Sequence, residues 1–196
     1  MSNVPLPSSF VRNRVALSWR EALWGLEHQL LDMPAVVELG ADRLIAGSDN
    51  PAEVELASLR KSEIGEAEIL LRRLAQIEPA TSESEISRKW LFLRMSWIYE
   101  GKSSNEEKLG EAESVYADFG YPHEVEGFIR YMPATWNYDP KSHTPQKNEA
   151  RLFRMWKQYL IAREDEFETR LEGAGVIAGA GDQVVVATER TSTLTR

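Results

Sequence analysis

His123, Glu124, Glu126, Asp139 and His143 are the residues of this sequence whose types and spacing could do proton-transfer chemistry. Histidine changes charge near neutral pH and a carboxylate accepts or returns a proton. The five would act together if residues 131–145 fold back over the short helix before them. Nothing in the spacing requires that convergence. His28, His123 and His143 form no helical pair of the metalloprotease kind and have no partner at a familiar metal-ligand spacing, so no metal is expected. His28 stands beside Glu27 on the polar side of a helix and reads as a solvated or hydrogen-bonded residue. The chain has no cysteine, which removes thiol nucleophiles, disulfides and cysteine zinc sites. An enzyme with His123, Glu124, Asp139 and His143 under the 131–145 loop is thus one reading, with no cofactor expected.

Two look-alike motifs fail on context. Asp118–Gly120 reads "DFG", but no glycine-rich loop, lysine-bearing strand or catalytic loop accompanies it, so it reads as a helix stop. Gly173, Gly175 and Gly179 have the wrong spacing for a dinucleotide fingerprint and follow a helix where that fingerprint must follow a strand.

The stretch "YPHEVEGFIRYMPATWNYDPKSHTP", residues 121–145, holds three tyrosines, one tryptophan and four prolines. Trp19, Trp90, Trp97 and Trp156 lie on helical apolar stripes and are explained by core packing, while Trp24 sits at the flank of its stripe. Trp136 has no helical period to bury it. Together with Trp24, Arg130, Tyr131 and Tyr138 it forms the candidate set of partner-binding anchors, since aromatics and arginine dominate binding surfaces. The segment reads first as a strap over the core and second as a recognition loop.

The elements that must position these residues are helical. Ser18 with Glu21 makes a capping box ahead of a stripe of Trp19, Leu23, Leu26 and Leu30. Pro34 suits the first turn of a second helix, stopped by Gly47, and Asn50 with Pro51 opens a third. Ile64 through Leu74 continues the helical period, with Gly65 as a break in it. Ser82 with Glu85 caps a helix whose apolar residues fall on two sides, Ile86, Trp90, Leu93 and Trp97 on one and Leu91 and Ile98 on the other. That helix is expected at the centre. Ser104 with Glu107 caps the next, a short helix follows over 122–131, and a long one begins near Pro145. On it Phe153, Trp156, Leu160, Phe167 and Leu171 share one side, with Arg163 and Glu166 turned elsewhere. No alternating strand pattern occurs before residue 173. The expectation is an all-α, single-domain bundle of about seven helices over 1–172, followed by a glycine/alanine-rich linker and flexible tail over 173–196. "QVVVA" within that tail is a short β-prone run.

A length of 196 residues suits one domain, and a composition 42% hydrophobic and 28% charged excludes wholesale disorder. No apolar run approaches the roughly 20 residues that span a bilayer, and the first residues have no signal-peptide pattern, so a cytoplasmic location is expected. The formal charge of −8 is concentrated: residues 32–80 hold ten acids against five bases, and 101–120 hold five against two. Such a surface repels phosphate backbones and attracts basic partners, although acidity also simply favours solubility.

The phrases "SWREALWGLEHQLL", "AVVELGADRLIAG", "DNPAEVELASL", "KWLFLRMSWIYE" and "VYADFGYP…GFIRYMP" together resemble a bacterial family catalogued as domain of unknown function 2247, over about residues 10–133. The last long helix and the tail carry no part of that resemblance. It implies no activity and maps no catalytic residues. Small acidic families of this kind resemble immunity proteins, which bind and block a toxin. The leading expectation is therefore an interaction protein for a basic partner, such as a toxin, binding neither nucleic acid nor membrane. A helical scaffold or homo-oligomer is the third reading.

Overall fold

The computed structural model describes residues 4–134 and 138–178, with side chains described up to residue 167. The α-helices are α1 (Ser8–Arg12), α2 (Trp19–Glu27), α3 (Met33–Ile45), α4 (Pro51–Ala57), α5 (Ala67–Ile77), α6 (Glu83–Glu100), α7 (Asn105–Asp118) and α8 (Pro145–Ala178). Short 3-10 helices cover Lys61–Glu66, His123–Phe128 and Pro140–Ser142. Among the described residues there is no strand, and the protein is an all-α bundle. "QVVVA" lies outside the described residues. None of the described helices is long and apolar enough to cross a membrane.

Local chemistry accounts for where the helices start. Ser18/Glu21 and Ser104/Glu107 each form a reciprocal capping box. Asp32 accepts from the Ala35 N–H and Asn50 from that of Ala52, each with a proline in the first turn. Ser82 caps α6, but the Glu85 carboxylate turns to the Ser82 hydroxyl, 2.9 Å away. The break expected at Gly65 is the 3-10 helix Lys61–Glu66 leading into α5. Gly47 and Gly120 end α3 and α7 with φ of +94° and +74°, a conformation open to a residue without a Cβ. The "DFG" triplet is thus the end of α7. The short helix α1 has no counterpart in the sequence reading.

The centre is α6, as its two-sided pattern demands. Ile86, Trp90, Phe92 and Leu93 pack into a core shared with α1–α5. Leu91, Met95 and Ile98 pack into a second, with Leu109, Ala112 and Tyr116 of α7, Val125 and Phe128, and Trp156 and Tyr159 of α8. Between α2 and α6 the approach is so close that a Cβ on Gly25 would sit 2.1 Å from the Trp90 ring.

Three expectations change. Trp97 is 41% exposed, at the edge of the core, with the Phe10 ring near-perpendicular to it and centroids 4.8 Å apart. Arg163 and Glu166 do not turn away from the body. Arg163 pairs with Glu124 and Glu166, and Arg88 of α6 with the same two carboxylates, so charge joins α8 to the bundle beside the apolar stripe. Third, α8 passes Gly173, where the sequence suggests a linker, and is assigned through Ala178.

Candidate functional site

The four proton-transfer candidates are not gathered around one cavity. The His123 side chain is 96% exposed, and its Nε2 stands 3.7 Å from Glu126. Glu124, one residue on, is turned to the body instead and lies 3.5 Å from Arg88 and 3.8 Å from Arg163. Asp139 caps the turn Pro140–Ser142 by accepting the Lys141 N–H at 3.0 Å. His143 meets the Ser142 hydroxyl at 3.0 Å and sets its ring edge-on to Tyr138. Successive residues on a tight turn point apart, which is why His123 and Glu124 separate. Among the described residues no group of three His, Asp or Glu side chains is placed to hold a metal ion.

The proline-interrupted segment is fastened to the body. The Tyr138 hydroxyl donates to Asn148 Oδ1 at 2.6 Å, and the Asn148 amide donates to the Pro140 carbonyl at 3.0 Å. The Arg151 guanidinium lies over the Tyr138 ring, 4.5 Å from its centroid. Tyr138 is therefore a pin on the first turns of α8, in keeping with the strap reading. Trp136 lies outside the described residues. Trp24 is half-buried, its ring stacked on His28 at 3.6 Å with Phe119 at 6.1 Å, so its faces meet this chain's own rings.

Beside the strap lies a cleft of about 420 Å³ between α7, residues 126–134, the segment 138–145 and the start of α8. Leu109, Ile129, Met132 and Leu152 give it an apolar floor, and Glu106, Glu126 and Glu149 place three carboxylates around it. Its two arginines have contacts of their own. Arg130 makes a two-pronged contact with Glu113, Nε to Oε1 at 2.7 Å and Nη2 to Oε2 at 2.8 Å, and Arg151 covers Tyr138. Bonding to Arg130 holds the Glu113 carboxyl below its ordinary range, and the same bond raises the guanidinium. Glu126 accepts from the Tyr116 hydroxyl at 3.2 Å, with the His123 ring 3.7 Å away, and Glu149 accepts from Asn105 at 2.7 Å. Such a cleft can take a cationic side chain with an apolar stem.

The acids of residues 32–80 do not form a comparable site. Glu53 is buried and accepts the Trp19 indole N–H at 2.7 Å. Glu78 receives the Trp19 and Arg20 backbone N–H groups at the start of α2. Asp42 pairs with Arg12, and Glu68 with Arg72. Much of that charge is spent within the fold.

Of the five anchor candidates, Arg130 lines the cleft as a clamped cation, Tyr138 lines it as the pin, and Tyr131 stands 60% exposed next to it. Sequence reasoning passed over Glu106, Glu149 and Tyr121. The first two carried no signal beyond being acidic near a helix start. Tyr121 had one, a bulky aromatic placed immediately after a helix-ending glycine.

The family described as an uncharacterized protein conserved in bacteria (DUF2247) matches residues 8–164, and the chain belongs to that family. The match extends past the region of resemblance read from the sequence and takes in the first turns of α8 that wall the cleft. Neither a curated protein nor a solved structure matches the chain.

Proposed function

We propose that this member of an uncharacterized bacterial family is an interaction protein that binds a basic protein partner, in the manner of an immunity protein holding a toxin. The observation that carries the reading is the cleft: an apolar floor ringed by Glu106, Glu126 and Glu149, with Arg130 held by Glu113. Apolar burial supplies affinity there, and the three carboxylates select and steer a cation. A toxin that acts on nucleic acid must be basic to hold phosphate, so an acidic protein competes for the surface it needs.

The test is capture by the tagged chain from its native bacterium, followed by reconstitution with the purified partner. A basic protein is expected. Its association should slow as the Debye length falls from about 10 Å at 0.1 M salt to about 3 Å at 1 M. Binding should fall at least about tenfold in Glu106→Lys and Glu149→Lys, since like charge opposed across an interface costs more than 1 kcal/mol. Expressed alone the partner should arrest growth, and co-expression of this chain should restore it. A partner that binds both lysine variants as tightly as the parent, or self-association of this chain alone, overturns the reading.

A further inference from the structure

Tyr121 and Tyr131 are 61% and 60% exposed and flank the buried ring of Tyr116, at centroid distances of 5.2 Å and 6.2 Å. The three rings stand at the C-terminal end of α7, where the Tyr121 N–H closes the helix on the Tyr116 carbonyl at 2.9 Å. Tyr121 holds φ at +62°, directly after Gly120 at +74°. That left-handed conformation is natural for glycine and tolerable for asparagine, but disfavoured for a large aromatic residue. The ring gains little burial in return. A strained backbone that presents an unburied aromatic is the arrangement expected where the ring serves a ligand.

The surroundings specify a positive charge. The faces of aromatic rings are negative, and a helix C-terminus carries partial negative charge. The Glu126 carboxylate accepts the Tyr116 hydroxyl, and Glu113 holds Arg130, the residue before Tyr131. Guanidinium and ammonium groups of this chain lie over Phe10, Trp19, Tyr138, Tyr159 and Phe167, and these described pairs leave the three tyrosine rings uncovered. We propose that Tyr121 and Tyr131, braced by Tyr116 with Glu126 beside it, form a site for an arginine side chain of a protein partner. This rests on the reading of the chain as a binder of a basic protein, and adds a second anchor point next to the cleft. Glu126 joins the two, since it lines the cleft and bonds the central tyrosine.

A free cation tests the site without any partner. The full chain, labelled at its tyrosine rings, is titrated at pH 8 with N-acetyl-arginine amide and, separately, with its citrulline counterpart, which keeps the shape and loses the charge. Saturable shifts confined to Tyr116, Tyr121 and Tyr131 are expected with arginine, at least about fivefold weaker with citrulline, because a cation–π contact depends on charge. Glu126→Gln should weaken the arginine response about threefold or more through the lost charge. Tyr121→Gly should abolish the response while leaving the melting temperature equal or higher, since glycine adopts the left-handed turn freely. Equal shifts with citrulline, or a full response in Tyr121→Gly, overturn the proposal. Loss of the arginine response with partner capture intact removes the tyrosine site alone. Capture that survives charge reversal at Glu106 and Glu149 removes the cleft reading.

Discussion

Phe128 and Trp156 stack ring on ring, with centroids 5.1 Å apart and planes 1° from parallel. Phe128 ends the 3-10 helix His123–Phe128 and Trp156 stands in the fourth turn of α8, both fully buried. This pair ties the strap region to α8 and holds Ile129, a floor residue of the cleft, in place. Phe128→Ala should cost about 3–5 kcal/mol, the usual range for emptying a buried aromatic site. A urea titration followed by tryptophan fluorescence measures it. A midpoint equal to the parent's would show that the stack does not hold this half of the core.

Gly25 reverses a familiar rule. Glycine to alanine inside a helix ordinarily gains about 1 kcal/mol. Here the new methyl would meet the Trp90 ring at 2.1 Å, and that ring is fully buried with its N–H fixed on the Glu21 carbonyl at 2.9 Å. Overpacking of this kind costs about 1–3 kcal/mol, so Gly25→Ala should melt below the parent. Gly127→Ala is the control. Its methyl would meet the end of the Met155 side chain, Cε at 2.5 Å and Sδ at 3.6 Å. A flexible thioether can swing aside, so the change should stay within about 1 kcal/mol.

Glu124, a catalytic candidate by sequence, has a structural task. Its Oε2 lies within 3.5 Å of Arg88 and 3.8 Å of Arg163, half-buried between α6 and α8. Glu124→Gln leaves Glu166 as the one described carboxylate for two guanidinium groups and should cost about 1–2 kcal/mol. His123→Ala, at a side chain in open solvent, should stay within about 0.5 kcal/mol. Equal effects from the two would contradict this division of roles.

The legibility of the fold and of the site differed for physical reasons. Helix starts are local chemistry, a side-chain oxygen meeting an N–H two or three residues away, and Ser18, Asn50 and Ser104 announce them in the sequence. The two-sided pattern of α6 likewise encodes its central place. The Arg88–Glu124–Arg163–Glu166 cluster unites residues from three elements, and no local pattern registers that. The cleft is harder still. Glu106 and Glu149 are 43 positions apart and share a rim only because the starts of α7 and α8 line the same cleft, where Asn105 donates to Glu149. Trp97 misled because periodicity gives the direction of a side chain, while burial also needs a neighbour on that side.

The Glu113–Arg130 pair joins stability to binding. The folded protein holds the Glu113 carboxyl below its ordinary value, so at neutral pH the pair stabilises the fold, and the gain is lost as pH falls through that lowered value. Both side chains are partly exposed, which limits the contribution to about 1 kcal/mol or less. Chemical denaturation from pH 7 to pH 2 should therefore show Glu113→Gln slightly less stable than the parent at neutral pH, the two curves meeting in acid. Binding should respond more. Arg130 already feels the charge of Glu106. Released from Glu113 it can swing across the cleft and neutralise that carboxylate, so Glu113→Gln should slow association of the basic partner. Arg130→Gln removes the cation and should speed it. At low salt the two variants are expected to differ about tenfold in association rate, since steering is an ionic-strength-dependent charge effect. Shifts of the same sign would mean that the pair acts on binding through the fold alone.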